Sequence, residues 1–152
     1  MNVKIVCVGN IKEKFYKDAC DEYIKRLSRF GKINVTEVKE CRGGDTQDIE
    51  AEGKLIIKNL SKTDFNIALC VEAKQFSSEK LSELFVEKSV SGTSCITFVI
   101  GGSDGLSETV KNFCDLKLGF SKMTFPHQLM RVVLLEQVYR AFKIANNESY
   151  HK

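Results

Sequence analysis

The sequence predicts one α/β domain over residues 1–152: a mostly parallel sheet flanked by helices. Three observations carry this expectation. Short apolar runs alternate with amphipathic stretches from one end of the chain to the other, the pattern of repeated strand–helix units. The run Ser94–Ile100 is apolar almost throughout, as a strand buried on both faces must be. The chain of 152 residues, 43% hydrophobic and 28% charged, is long enough to bury roughly two-thirds of its unfolded surface around one core.

Val3–Val8 reads as a buried strand ending at Gly9. Residues 13–30 follow as an amphipathic helix, with Tyr16, Ala19, Cys20, Tyr23, Ile24 and Leu27 at helical spacing and Gly31 as its stop. Ile33–Lys39 alternates apolar and polar residues, as a half-buried strand does. Cys41–Asp45 reads as a flexible, positively charged loop. Thr46 or Asp48 is placed to cap a helix reaching about Leu60, and Asn66–Val71 is the next strand. Ser77 and Ser78 open a helix whose stripe is Leu81, Leu84, Phe85 and Val86. After Ser94–Ile100 comes the turn GGSDGLS, with Ser107 capping a short helix to about Phe113. Asp115–Phe120 is the last strand, Phe120–Phe125 a loop, and Pro126 opens a long helix to about Ala145.

Composition narrows the function. The only apolar run near the start, Ile5–Val8, is too short for a secretory signal, and no stretch suits a membrane span, so a cytoplasmic location is expected. Six cysteines stand at 7, 20, 41, 70, 95 and 114 without a CxxC pair. Small buried hydrophobes in a reducing compartment are the expectation, with no metal site. Residues 121–152 carry five basic against two acidic side chains, while residues 1–120 balance at eighteen of each. A basic C-terminal surface favours a polyanionic partner.

Ligands of such folds sit beyond the carboxyl ends of the strands, so the loops after Val71, Ile100 and Phe120 are the candidate sites. The run Gly101–Gly105 suits close approach of a nucleotide, or a simple tight turn. It is neither GxGxxG nor a phosphate loop ending in GK[ST], which disfavours a dinucleotide oxidoreductase or an NTPase. In the last helix, ten of the fourteen residues 129–142 are apolar or tyrosine, more than one stripe needs. Such a helix is either central to the core or a subunit interface, and a symmetric homodimer is the favoured reading. Glu136, Arg140 and Lys143 fall on its polar face. Arg131 falls on the side of Leu135, Val138 and Phe142 and requires an anionic partner there, a carboxylate of the fold or a ligand. The polar end, Tyr150–Lys152, reads as a frayed tail that could also stack on a base, hold a phosphate and move a proton. For His127, at the helix start, a structural or hydrogen-bonding role is expected.

FVIGGSDGLS (98–107), LGFSKMTFPHQLMRVVLLEQVYRAF (118–142), the YHK ending, the MNVKIVCVGN start and LCVEAKQFSSE (69–79) together resemble the ribosomal RNA large subunit methyltransferase H family of the SPOUT class. The resemblance covers essentially the whole chain. It implies an α/β knot in which the C-terminal segment forms a deep trefoil, a homodimer through the C-terminal helix, and S-adenosylmethionine as cofactor. By motif match the cofactor contacts are Leu69, Gly101, Phe120, Ser121, Lys122, Met123, Thr124 and Phe125. The implied substrate is a pseudouridine of 23S rRNA in the ribosome, methylated at N3. His151 is then the candidate proton acceptor. Tyr150 and Lys152 would position RNA, and Arg131 or Arg140 would hold a phosphate or the base. Arg42 and Lys39 would extend the contact. A knotted RNA-binding module without turnover is the alternative, and a metabolic nucleotide-binding enzyme a weaker third.

Overall fold

The computed structural model describes residues 1–150. Its strands are β1 (Asn2–Val8), β2 (Ile33–Val38), β3 (Arg42–Gly43), β4 (Thr46–Gln47), β5 (Phe65–Leu69), β6 (Cys95–Ile100) and β7 (Leu116–Leu118). Its helices are α1 (Lys14–Leu27), α2 (Ile49–Lys58), α3 (Ser78–Val90), α4 (Glu108–Phe113) and α5 (His127–Ala145). Five strands form one parallel sheet in the order β2-β1-β6-β5-β7.

The apolar Ser94–Ile100 run becomes β6 at the centre of this sheet, buried on both faces. Ile96, Phe98 and Ile100 join the core beneath α1, α3 and α5, while Val99 joins the smaller core beneath α2 and α4. Each such fully buried side chain contributes about 1.5–3 kcal/mol. The connections β1–α1–β2 and β5–α3–β6 run toward the β2 edge with their helices on one face. Those through α2 and α4 run toward the β7 edge with helices on the other. One crossover hand requires this division. Where neighbouring strands send their chains in opposite directions, their carboxyl ends open a crevice.

Local signals set the helix starts. Asp48, Ser77 and Ser107 accept hydrogen bonds from the backbone N–H groups of Ala51, Lys80 and Val110. Some expectations are corrected. Residues 41–45 are not a flexible loop, because Arg42–Gly43 pairs antiparallel with Thr46–Gln47 in a small hairpin. The first helix ends at Leu27, and residues 28–30 form a turn. Val86 is exposed, not part of the buried stripe of α3.

The crowded last helix is a core helix of this chain. Leu134 and Val138 are fully buried against α1, α3 and the sheet, and Phe142 meets Phe30 in a stack at 5.2 Å and the edge of Phe85 at 5.1 Å. Val132 and Val133 are half-buried and pack at the margin of this core, while Leu129 is half-buried outside it. Among the described residues no helix is long and apolar enough to cross a membrane, and no cluster of His, Cys, Asp and Glu side chains could hold a metal ion.

Candidate active site

A cavity of about 550 Å³ opens at the carboxyl ends of β6, β5 and β7, within the range of small-molecule sites. Three loops build it. The first follows β5 and contributes Leu69, Cys70, Val71 and Glu72; the second is the turn from Ile100 to Leu106; the third runs from Leu118 to His127 and leads into Met130 of α5.

Backbone contacts fix the loops against one another. The Gly119 N–H donates to the Lys74 carbonyl at 3.0 Å, and the Cys70 N–H to the Leu118 carbonyl at 3.0 Å. A Cβ at Gly119 would stand 2.5 Å from the Ala73 carbonyl oxygen, so only glycine permits this crossing. Within the second loop the Gly105 N–H donates to Gly102 O at 3.1 Å, and Gly105 takes a φ of 82°. A Cβ at Gly101 would lie 2.5 Å from Gly105 O. This turn is anchored from outside by Gln47. The Gln47 Oε1 accepts from the Asp104 N–H at 2.8 Å and from Ser103 Oγ at 3.2 Å, while its Nε2 donates to both carboxylate oxygens of buried Glu52. The β3–β4 hairpin therefore holds the cavity wall.

The lining is apolar along Leu69, Ile100, Leu106, Leu118, Phe120 and Met130, with peptide groups of the glycine turn between them. One rim is charged: Lys111 Nζ lies 2.7 Å from Glu72 Oε1. That hydrogen bond holds the Glu72 carboxyl below its ordinary value and raises Lys111. Burial pushes up the Cys70 thiol, keeping it protonated. His127 forms part of the opposite wall, and burial, then the charge of Arg131, lowers its pKa.

Of the eight residues matched to cofactor contacts, Leu69, Gly101, Phe120, Ser121, Met123, Thr124 and Phe125 all line the cavity. Lys122 is exposed and outside the lining. The remaining site residues stand elsewhere. Arg131 is 2% exposed and lies behind the wall, toward a second cavity between α1 and the β1–β2 edge. Its Nη1 donates to Glu37 Oε1 at 2.6 Å and its Nη2 to the carbonyls of Val8 and Gly9, because a buried guanidinium needs such partners. Its anionic partner is thus a carboxylate of the fold. Arg140 pairs with Glu136 at 2.7 Å and stacks over the Tyr150 ring. Tyr150 is not a frayed end: its hydroxyl lies 3.2 Å from Glu136 Oε1 and its ring meets Tyr139 edge-on at 4.9 Å. Arg42 is exposed on the hairpin and pairs with Glu40 at 2.9 Å, and Lys39 is exposed beside it. His151 and Lys152 lie outside the described residues. Sequence reading missed Cys70, Glu72, Lys111 and the place of His127. Glu72 follows Val71, the strand end expected to carry a candidate loop, which was the available signal; Cys70 was expected inside that strand, which ends at Leu69.

The whole chain has close relatives. Residues 1–151 match the family described as Predicted SPOUT methyltransferase. The ribosomal RNA large subunit methyltransferase H of Clostridium botulinum strain Kyoto is 51% identical, and that of Bifidobacterium animalis subsp. lactis 50%, each over 100% of both chains. Among solved structures, a tRNA methyltransferase from Aquifex aeolicus shares the fold with TM-score 0.55 at 13% identity, covering 92% of this chain and 70% of that one. A methyltransferase from Legionella pneumophila, solved with bound cofactor SAM, gives 0.52 at 9% identity, covering 93% of this chain and 66% of that one. The family model and the full-length relatives agree: the chain belongs to the SPOUT methyltransferase family.

Proposed function

We propose that this protein transfers the methyl group of S-adenosylmethionine to N3 of a pseudouridine in 23S rRNA of the ribosome, in the cytoplasm and as a homodimer. The observation that carries the reading is the convergence of seven motif-matched residues, from three separated stretches of chain, on one cavity. The cavity fits the cofactor by its chemistry. Leu69, Ile100, Leu106 and Leu118 offer apolar faces to a nucleoside, the glycine turn offers peptide groups to its edges, and Glu72 with Lys111 offers both charges to an amino-acid end. The relatives named as rRNA methyltransferases support the substrate class.

When bound, the cofactor supplies an electrophilic methyl on sulfur. The chain's own task is alignment, since an oriented reaction saves several kcal/mol of barrier that would otherwise be spent on bringing the partners together. The loops tied at Gly119 and Gln47 keep that alignment rigid. The half-buried Leu129 of α5, outside the core cluster, supports a symmetric interface along this helix. Through it the partner's Tyr150–Lys152 segment would carry RNA toward the cavity, with Arg140 and Arg42 on the phosphates. The same reading has the C-terminal segment threaded into a deep trefoil knot, and the backbone approach of Gly119 to Ala73 supports a chain crossing there.

The test is methyl transfer from labelled cofactor to ribosomes of a strain lacking this protein, with mass mapping of the 23S rRNA. A single new methyl on a pseudouridine is expected. Ribosome binding with no cofactor binding by calorimetry would leave the chain as an RNA-binding module, and cofactor binding with transfer to small metabolites alone would overturn the rRNA reading.

A further inference from the structure

His127 stands at the first position of α5, directly after Pro126, and lines the large cavity opposite the glycine turn. The β1–α1 loop passes near it: a Cβ added at Gly9 would meet Nε2 at 3.7 Å. Among the described residues neither ring nitrogen has a hydrogen bond or ion pair, although the imidazole is half-buried and the neighbouring Gln128 and Arg131 are both engaged. A half-exposed imidazole in a cavity wall, with no partner in the protein, is open to an N–H group of a ligand entering that cavity.

The charged groups around it come from four elements. Arg131 lies one turn along α5, Lys12 in the β1–α1 loop, Glu40 after β2 and Glu52 on α2. Arg131 is taken up by Glu37, and Glu52 by Gln47 and the Cys41 N–H. Burial first, then Arg131, holds the imidazole below its ordinary value; Lys12 lowers it further, while Glu40 and Glu52 oppose. The first turn of α5 holds no acidic residue to offset the positive helix end, which also disfavours an imidazolium. At neutral pH the ring therefore has an open lone pair. The other ionisable lining groups do not offer one so well: Cys70 stays protonated, Glu72 and Lys111 hold each other, and Asp104 is at the exposed tip of its turn.

We propose that His127 is the proton acceptor of the methyl transfer. This rests on the reading above, in which the acceptor atom is an imide nitrogen of an RNA base. Such a nitrogen has no free lone pair until its N–H bond breaks. The proton passes to a ring nitrogen of His127, and the pair left on the base nitrogen forms the bond to the methyl carbon. The methyl–sulfur bonding pair stays on sulfur. The positive charge begins on the sulfonium and ends on the imidazolium, so the step balances without a further reactant.

The experiment combines transfer kinetics with NMR of the intact protein. In single turnovers on ribosomes at saturating cofactor, His127→Gln is expected to lose about 100-fold or more in rate, with the cofactor Kd by calorimetry changed less than threefold. The wild-type rate should fall on acidification along a limb that coincides with the His127 imidazole titration seen by NMR in the protein alone. That limb should vanish in His127→Gln and persist in His151→Gln. A His127→Gln rate within threefold of wild type, or loss of the limb only in His151→Gln, overturns the proposal. So does an imidazole that titrates at or above the ordinary histidine value, whatever the activity. Absence of rRNA methylation by the wild type would instead overturn the functional reading, and the proton role with it.

Discussion

Arg131 shows what a single buried charge demands. The sequence places it on an apolar helix side and requires an anion; the fold supplies Glu37 and two carbonyls behind the cavity wall. Its Nε remains buried with no partner, so the arrangement is costly and easily upset. Arg131→Ala is expected to destabilise the protein by about 1–3 kcal/mol in urea unfolding, mainly by leaving the Val8 and Gly9 carbonyls unpaired, since Glu37 is partly exposed and water can solvate it. Full stability with lost activity would instead place Arg131 in catalysis. Gly101 is a second case. A Cβ there meets the backbone of Gly105, so the constraint lies inside the turn before any ligand arrives. Gly101→Ala should weaken cofactor binding at least tenfold in calorimetry while the melting temperature moves by only a few degrees. Unchanged affinity would detach this turn from the site.

At the scale of elements, α5 carries two faces with different duties. Leu134 and Val138 belong to the core of the chain, whereas Leu129 is half-buried outside that core. Leu134→Ala is therefore expected to cost about 2–5 kcal/mol in stability without changing subunit association. Leu129→Arg should leave a folded chain that sediments as a monomer. A folded dimer in the second variant would move the interface off this helix. The sequence could count the apolar residues of α5, but one count served both duties, because periodicity records how wide an apolar face is and not what covers it. Helix starts were more legible, since Asp48, Ser77 and Ser107 act on backbone N–H groups two or three residues away. The hairpin at Arg42–Gln47 escaped notice because its two-residue strands carry no alternation, and its role depends on Gln47 reaching Glu52 and the distant turn at Asp104.

For the whole molecule, the five thiols of Cys7, Cys20, Cys70, Cys95 and Cys114 all have raised pKa values, burial being the first cause in each. Cys7 is fully buried and pushed up to about 12. Between the unfolded thiol value near 9 and that point, only the unfolded chain releases the proton. Stability is then complete below pH 9 and falls as pH rises, by about 1.4 kcal/mol per pH unit for Cys7 alone. Urea unfolding at pH 8, 9.5 and 11 should show this alkaline loss, and Cys7→Ala should flatten its slope. An equal slope in the variant would refute the assignment to Cys7. His127 acts at the other end: its folded value lies below the ordinary one, so its contribution is present above about pH 6.5 and lost as pH falls further.

The sequence by itself determined the alternation of strands and helices, the central β6, the helix caps and the three loops that carry the site. These follow from periodicity and from hydrogen bonds between near neighbours, which a linear text records. Only the tertiary structure decided that Arg131 answers to Glu37, that Gln47 braces the glycine turn, that Gly119 passes against Ala73, and that His127 faces the cavity without a partner. Each of these joins groups far apart along the chain. Which distant groups meet is set by the order and direction of strands in the sheet, a property of the packed whole.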